Sequence, residues 1–142
     1  MVSIANAESA GSRANSNGRT AEDIIAGVLA KKGVLAHRQY QIGRSIYGGG
    51  LVTDFFIEPT ARFPEGLAIE SKWQEVSGTA EEKLPYLVEN IRTQFPCPVI
   101  VIVGGGGARG GAVSWLRRQV DGYKLIHVFA FEEFVTWTNR SL

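Results

Sequence analysis

The sequence lacks several features that mark specialised classes of protein. A single cysteine, Cys97, excludes an internal disulfide framework and is typical of a reducing compartment. The net charge is only +1, so any surface that attracts a polyanion must be local. No apolar run reaches membrane length, and no charged segment followed by an apolar one resembles a secretory signal. These absences favour a cytoplasmic protein with no membrane partner.

The composition is that of an ordinary globular domain. The chain has 142 residues, of which 44% are apolar and 20% charged, enough for one hydrophobic core. Residues 1–18 are rich in Ala, Ser, Asn and Gly without an apolar period, which predicts a flexible N-terminal tail. The remainder, 19–142, is predicted to form a single domain.

Apolar periodicity, helix caps and turn residues divide the domain into alternating helices and strands. Thr20 is the expected cap of the first helix, and Gly33 its end. In chain order the predicted elements are a helix over 19–33, strands over 37–47, 51–58 and 67–74, a helix over 80–93, a strand over 98–103, a helix over 112–120, a strand over 124–129 and a helix over 131–138.

Two neighbouring predicted strands carry acids in unusual surroundings. Asp54 stands among apolar residues in the second strand, where burying a carboxylate costs several kcal/mol unless a cation or donors compensate it. In the third strand, alternation puts Glu70, Lys72 and Gln74 on one face. A surface ion pair between Glu70 and Lys72 would explain those two residues but not Asp54. If the strands pair antiparallel, Asp54 and Glu70 lie side by side.

Several arginines and a glycine-rich segment are the expected contacts for a ligand. The glycine-rich segment 104–111 follows an apolar strand, a favoured position for ligand contacts, but no Gly-Lys-Ser/Thr follows it. Solvation and phosphate contact remain open alternatives for the arginines. The candidates for nucleic-acid contact are Arg44, Arg109, Arg117 and Arg118. His37 and His127 lack metal-site companions and are interpreted as structural.

With Asp54 on the second strand and Glu70-Ser71-Lys72 on the third, the chain resembles the PD-(D/E)XK nuclease superfamily. Thr53 stands where the family motif has proline, and Gln74 resembles the extended Glu-x-Lys-x-Gln version. The resemblance implies an α/β, restriction-endonuclease-like fold: a central mixed β-sheet flanked by helices, in the order αβββαβ followed by αβα.

The resemblance also implies the chemistry of the site. Asp54, Glu70 and the carbonyl of Ser71 would bind Mg²⁺, with Mn²⁺ as a substitute, because hard cations prefer oxygen ligands. Lys72 would hold or deprotonate the attacking water, or stabilise the charge of the phosphorane, and Gln74 would orient Lys72 or the water. Glu22, on the first helix, would reach the metal through water, although it is equally explained as a partner of the helix dipole.

The expected activity is that of a metal-dependent DNA endonuclease, of a small restriction-like or homing type. The alternatives are a nuclease that resolves four-way junctions and an inactive DNA-binding module of the same fold. Because duplex strands are related by two-fold axes, a homodimer or a dimer of dimers is expected. Its interface would include aromatic residues of the segment 124–137, unless these residues simply complete the core.

Overall fold

The computed structural model describes residues 10–72, 83–104 and 110–142, and within them four helices and five strands. The helices are α1 (Ala10–Lys31), α2 (Leu84–Thr93), α3 (Gly111–Arg118) and α4 (Phe131–Ser141). The strands are β1 (Ala36–Arg44), β2 (Gly50–Ile57), β3 (Leu67–Lys72), β4 (Val99–Val103) and β5 (Leu125–Ala130). The chain order αβββαβαβα is the one expected from the sequence.

The five strands form one mixed sheet in the order β1-β2-β3-β4-β5. The first three strands are antiparallel neighbours, whereas β3, β4 and β5 run parallel to one another. The carboxyl ends of β3, β4 and β5 therefore meet at one end of the sheet. Since β2 runs against β3, the turn that joins β1 to β2 lies at this same end. We call it the carboxyl end of the sheet.

Each face of the sheet carries its own half of the core, because alternate side chains of a strand point to opposite faces. On one face Ala68 packs with β4 and with the apolar residues of α2 and α3. On the other face Leu67 and Ile69 pack with α1 and α4. Strand β4 is fully buried along its length, as its continuous apolar run predicts. The α/β sheet flanked by helices is therefore confirmed.

The first helix is longer than predicted. It begins at Ala10 instead of Arg19, so Thr20 lies inside the helix and is not its N-cap. Its buried positions are Ala21, Ile25 and Leu29, spaced four residues apart, whereas Ile24 is 43% exposed. Residues 10–18 of the predicted tail are thus helical, and residues 1–9 lie outside the described part. The division into tail and domain at residue 19 stays a prediction.

The first predicted strand also ends earlier than expected. Strand β1 stops at Arg44, and Ser45 begins a turn in which the Gly48 N–H donates to the Ser45 carbonyl at 2.8 Å. Ile46 is therefore outside the strand, and both it and Tyr40 are exposed to more than a third. The start of the predicted helix 80–93 and the end of the strand 67–74 fall on residues 73–82, outside the described part.

The aromatic residues near the C-terminus largely complete the core. Phe134 is fully buried and Trp137 is 3% exposed, while Phe129 and Phe131 are half-buried against the same cluster. The exposed patch expected over this segment is therefore smaller than the sequence suggests. Cys97 is fully buried, and burial raises the pKa of its thiol to about 11, as fits a small core residue. None of the described helices is long and apolar enough to span a bilayer.

Candidate active site

Asp54 and Glu70 come together where β2 and β3 separate. The ladder between these strands runs from Ile57↔Leu67 to Phe55↔Ile69, and one further step in that register would pair Asp54 with Glu70. Beyond the Phe55↔Ile69 pair, a side-chain hydrogen bond connects the two strands. The Asp54 carboxylate Oδ2 accepts a hydrogen bond from the Ser71 N–H at 2.7 Å, which fixes the carboxylate against β3. The contact known for Ser71 is thus made by its N–H, and the ligand role of its carbonyl stays a prediction.

Glu70 is the most deeply buried charged group described. Its side chain belongs to a residue that is 5% exposed, and its Oε2 has no hydrogen-bond partner. Burial and the neighbouring charge of Asp54 raise the pKa of Glu70 to about 7, and the Lys72 ammonium partly opposes the rise. The sequence predicts that Asp54 is the carboxylate whose burial is costly. In the structure Asp54 is only half-buried, and the larger cost of burying a charge belongs to Glu70.

Lys72 ends β3 as a half-buried residue. Lys72 and Glu70 are two positions apart in β3, so their side chains lie on the same face of the sheet, and the Lys72 charge acts on Glu70. Gln74, the fourth residue of the motif, lies outside the described residues, and so does Arg109. Their predicted roles therefore have no geometry to compare with.

Glu22 reaches the same acidic site from α1. Burial and the charge of Asp54 raise the pKa of Glu22, whereas Gln39 and Arg38 oppose the rise. Because α1 begins at Ala10, Glu22 lies in the helix interior and cannot act as a partner of the helix dipole in the first turn. Arg38 lies 3.7 Å from the Glu22 Oε1 and 2.9 Å from the Asp23 Oδ1.

Gln39 is a residue of this site that the sequence did not reveal. Its Nε2 donates to the Glu22 Oε1 at 3.2 Å and to the Asp54 Oδ1 at 3.4 Å, so one amide bridges the two acids. Its φ of +51° makes it the only non-glycine residue with a left-handed backbone in the part of the chain described. This conformation breaks the alternation of side chains in β1. His37 and Tyr40 are three positions apart and would point to opposite faces of a regular strand, yet their ring centroids lie 5.6 Å from each other.

No local signal would have found Gln39. A glutamine between Arg38 and Tyr40 is unremarkable in an edge strand, and left-handed backbone is typical of Gly, Asn and Asp instead. Backbone strain of this kind is found preferentially at functional sites, where the surrounding structure holds it in place. Here the surrounding structure is the pair of carboxylates.

The described arginines that were predicted to contact nucleic acid, Arg44, Arg117 and Arg118, have no ion pair with Asp54 or Glu70 in the structure. Arg44 donates from Nη1 to the Gly48 carbonyl at 3.0 Å and so braces the β1–β2 turn. Arg117 lies 3.7 Å from Glu133 at the start of α4, and Arg118 is exposed. Contact of these arginines with nucleic acid stays a prediction. His37 pairs with Glu58 at 2.7 Å. His127 stacks on Phe129 with ring centroids 4.6 Å apart, and Phe129 packs on the face of the sheet that α1 and α4 cover.

The donor set suits a hard divalent cation. Two adjacent carboxylates, one with a buried oxygen that has no donor, provide the oxygen ligands that Mg²⁺ prefers. Within residues 10–72, 83–104 and 110–142, no three Asp, Glu, His or Cys side chains are grouped closely enough to hold a metal by themselves. A cation would therefore take Asp54 and Glu70 as its protein carboxylates and complete its shell with backbone oxygen or water.

Comparison with protein families agrees with the geometry. A family model described as a PD-(D/E)XK nuclease superfamily domain matches residues 13–142, which is nearly the whole chain. The chain therefore belongs to the PD-(D/E)XK nuclease superfamily, and its activity class is that of a nuclease. Neither the comparison with curated proteins nor the one with solved structures gives a significant match.

Proposed function

We propose that the protein is a Mg²⁺-dependent DNA endonuclease whose catalytic residues are Asp54, Glu70 and Lys72. The observation that carries the proposal is the buried, unpartnered Glu70 Oε2 beside Asp54, with the Lys72 ammonium acting on the same carboxylate. A buried carboxylate that lacks donors is costly to ionise, and a bound cation would remove that cost. A purely structural role would be served better by an apolar residue.

The chain's own residues have distinct tasks in this proposal. Asp54, fixed by the Ser71 N–H, and Glu70 would hold a divalent cation, which supplies charge neutralisation at the phosphate and acidifies the attacking water. Lys72 would position that water or stabilise the charge of the phosphorane by donating a hydrogen bond. Gln74 and Glu22 keep the supporting roles that the family resemblance implies. Mn²⁺ is expected to replace Mg²⁺, since both accept oxygen ligands.

Alanine substitutions test the three catalytic assignments. Asp54→Ala, Glu70→Ala and Lys72→Ala are each expected to abolish Mg²⁺-dependent cleavage of plasmid DNA while the far-UV circular dichroism stays unchanged. Matched controls are Glu65→Ala and Lys31→Ala, which remove exposed charges outside the site and should leave cleavage intact. Full activity in any one of the three site variants would overturn the role assigned to that residue.

The same purified protein separates the proposed endonuclease from its alternatives. Cleavage is compared on linear duplex, nicked circle, four-way junction and single-stranded DNA, because one fold serves all of these activities. Preference for the junction over every duplex would indicate a resolving nuclease. Calorimetric titration with Mg²⁺ in the absence of DNA addresses the inactive binding module: tight DNA binding without metal binding or cleavage would favour that module.

A further inference from the structure

Two exposed tyrosines stack on each other at the carboxyl end of the sheet. Tyr47, in the β1–β2 turn, is 82% exposed, and Tyr86, on α2, is 39% exposed. Their ring centroids lie 5.3 Å apart with an angle of 18° between the planes. An aromatic side chain that leaves four-fifths of its surface in water gains little stability from the pair. The core therefore does not account for Tyr47.

The turn that carries Tyr47 is held firmly to α2. Asn90 is 1% exposed, and its Oδ1 accepts a hydrogen bond from the Ile46 N–H at 2.8 Å. The Tyr47 N–H donates to the Ser45 hydroxyl at 3.2 Å, and Arg44 braces the turn through the Gly48 carbonyl. Two elements distant in sequence thus hold the aromatic pair in one arrangement. Rigid presentation lowers the entropic cost of binding a flat partner.

The pair lies among charges of both signs, at the end of the sheet where β3 finishes. Arg44 is the one charged residue of the segment 44–50, whereas Lys83 follows Glu81 and Glu82 directly in the sequence. The first acid further along α2 is Glu89. The turn begins β2 at the end of the sheet where β3 finishes with Lys72, and α2 begins at this same end. The pair therefore lies at the same end of the sheet as Lys72, the last residue of β3.

We propose that the Tyr47–Tyr86 pair is a stacking platform for an unpaired nucleobase of the nucleic-acid substrate, with Arg44 and Lys83 near the adjoining phosphates. The inference rests on the proposed function and adds the substrate class: DNA with a single-stranded or splayed nucleotide close to the scissile bond. A base inside a duplex already stacks on both neighbours and offers no free face, whereas an unpaired base does. Stacking on aromatic side chains needs no particular sequence.

The test is the affinity of the full-length protein for short fluorescent oligonucleotides, measured by anisotropy with Ca²⁺ in place of Mg²⁺. Tyr47→Ala is expected to weaken binding of a single strand about tenfold, and binding of a blunt duplex far less. Tyr47→Phe keeps the ring and should bind like the wild type. Tyr123→Ala is the matched control, because Tyr123 is 77% exposed and precedes β5 at the opposite end of the sheet.

An abasic nucleotide makes the test independent of general changes in affinity. A single abasic nucleotide is placed at each position of the strand in turn. At one position the wild type should bind the abasic strand about tenfold more weakly than the intact strand, whereas Tyr47→Ala should bind both strands equally. The two losses do not add, because the ring and the base form one stacked pair. Equal affinity of wild type and Tyr47→Ala for single strands would overturn the platform. If Tyr47→Ala also has a lower mass by light scattering than the wild type while its oligonucleotide affinity is unchanged, Tyr47 contacts a second copy of the chain and the platform is likewise overturned.

Cleavage of duplex DNA, assayed on the same preparations, distinguishes failure of this inference from failure of the proposed function. Mg²⁺-dependent cleavage by the wild type together with unchanged binding by Tyr47→Ala overturns the platform alone. Absence of both cleavage and binding in the wild type overturns the endonuclease and the platform with it.

Discussion

At the scale of single residues, the site is dominated by a conflict between burial and charge at Glu70. Burial and the charge of Asp54 raise the pKa of Glu70 to about 7 in the folded protein, whereas a glutamate in the unfolded chain has a pKa near 4.5. Between these two values the folded state binds more protons than the unfolded state. The free energy of unfolding must therefore fall as the pH rises through this window, and the contribution is fully lost above it.

The substitution Glu70→Gln removes this titration. Without metal, wild-type protein should lose on the order of 3 kcal/mol from this group between about pH 4.5 and about pH 8, and Glu70→Gln should lose correspondingly less. Urea unfolding in EDTA across that range measures the difference. The control is Glu65→Gln, an exposed acid that should retain the wild-type slope. Identical slopes for wild type and Glu70→Gln would contradict the assignment of the raised pKa to Glu70.

Gln39 contributes to the site through a side-chain amide and an unusual backbone, which two substitutions separate. Gln39→Ala and Gln39→Gly both remove the bridge between Glu22 and Asp54, so both should weaken Mg²⁺ binding about tenfold. Only glycine relieves the left-handed backbone at φ +51°, so Gln39→Gly should be the more stable variant by about 1 kcal/mol. Calorimetric Mg²⁺ titration and urea unfolding measure the two effects. Mg²⁺ affinity that stays at the wild-type level in both variants would show that Gln39 does not position the acids.

At the scale of elements, the third strand depends on how the chain enters it. Gly66, directly before β3, has a φ of +88°, and a Cβ there would lie 2.6 Å from the Phe56 ring and 2.8 Å from the Ile57 carbonyl oxygen. The residue thus permits both a left-handed turn and a close approach of β2 and β3. This approach sets the register that brings Asp54 to Ser71 and Glu70.

The substitution Gly66→Ala tests this dependence. It should destabilise the protein by about 2–4 kcal/mol, because backbone strain and a clash with the backbone carbonyl add together. Gly49→Ala, in the β1–β2 turn, is the matched control: no atom lies within 4 Å of its Cβ position, and its φ is outside the left-handed region. Urea midpoints compare the two variants. Equal stability of Gly66→Ala and wild type would show that β2 and β3 can separate there without cost.

At the scale of the whole molecule, the proposed duplex DNA substrate leads to a prediction about the oligomeric state. A single site of this kind cuts one strand, so we expect a two-fold dimer to address both strands of a duplex. Phe134 and Trp137 are buried, and Phe129, Phe131 and Val135 are half-buried, so the apolar surface that these residues would bring to an interface is small. Light scattering during size exclusion at micromolar concentration, with and without DNA, measures the mass. A mass of 15.4 kDa in both conditions would contradict the dimer.

Several aspects of the protein were determined by local sequence alone. The order of helices and strands, the two faces of β3 and the fully buried β4 all follow from side-chain alternation and apolar runs, which depend on residues close together in the chain. The motif residues Asp54, Glu70 and Lys72 were recognised differently, through the resemblance of their order on consecutive strands to a family motif. The family match over residues 13–142 confirms the resemblance to the superfamily, and the roles of the three residues stay predictions.

Tertiary structure decided the features that depend on distant segments. The bridge from Gln39 to Glu22 and Asp54 joins α1, β1 and β2, and the stack of Tyr47 on Tyr86 joins a turn to α2. The burial of Glu70 needs the whole sheet and its covering helices. Each of these depends on which surfaces meet when the core closes. A left-handed glutamine or an unpartnered carboxylate oxygen leaves no periodic trace in the sequence, because its cost is balanced by contacts from elsewhere in the fold.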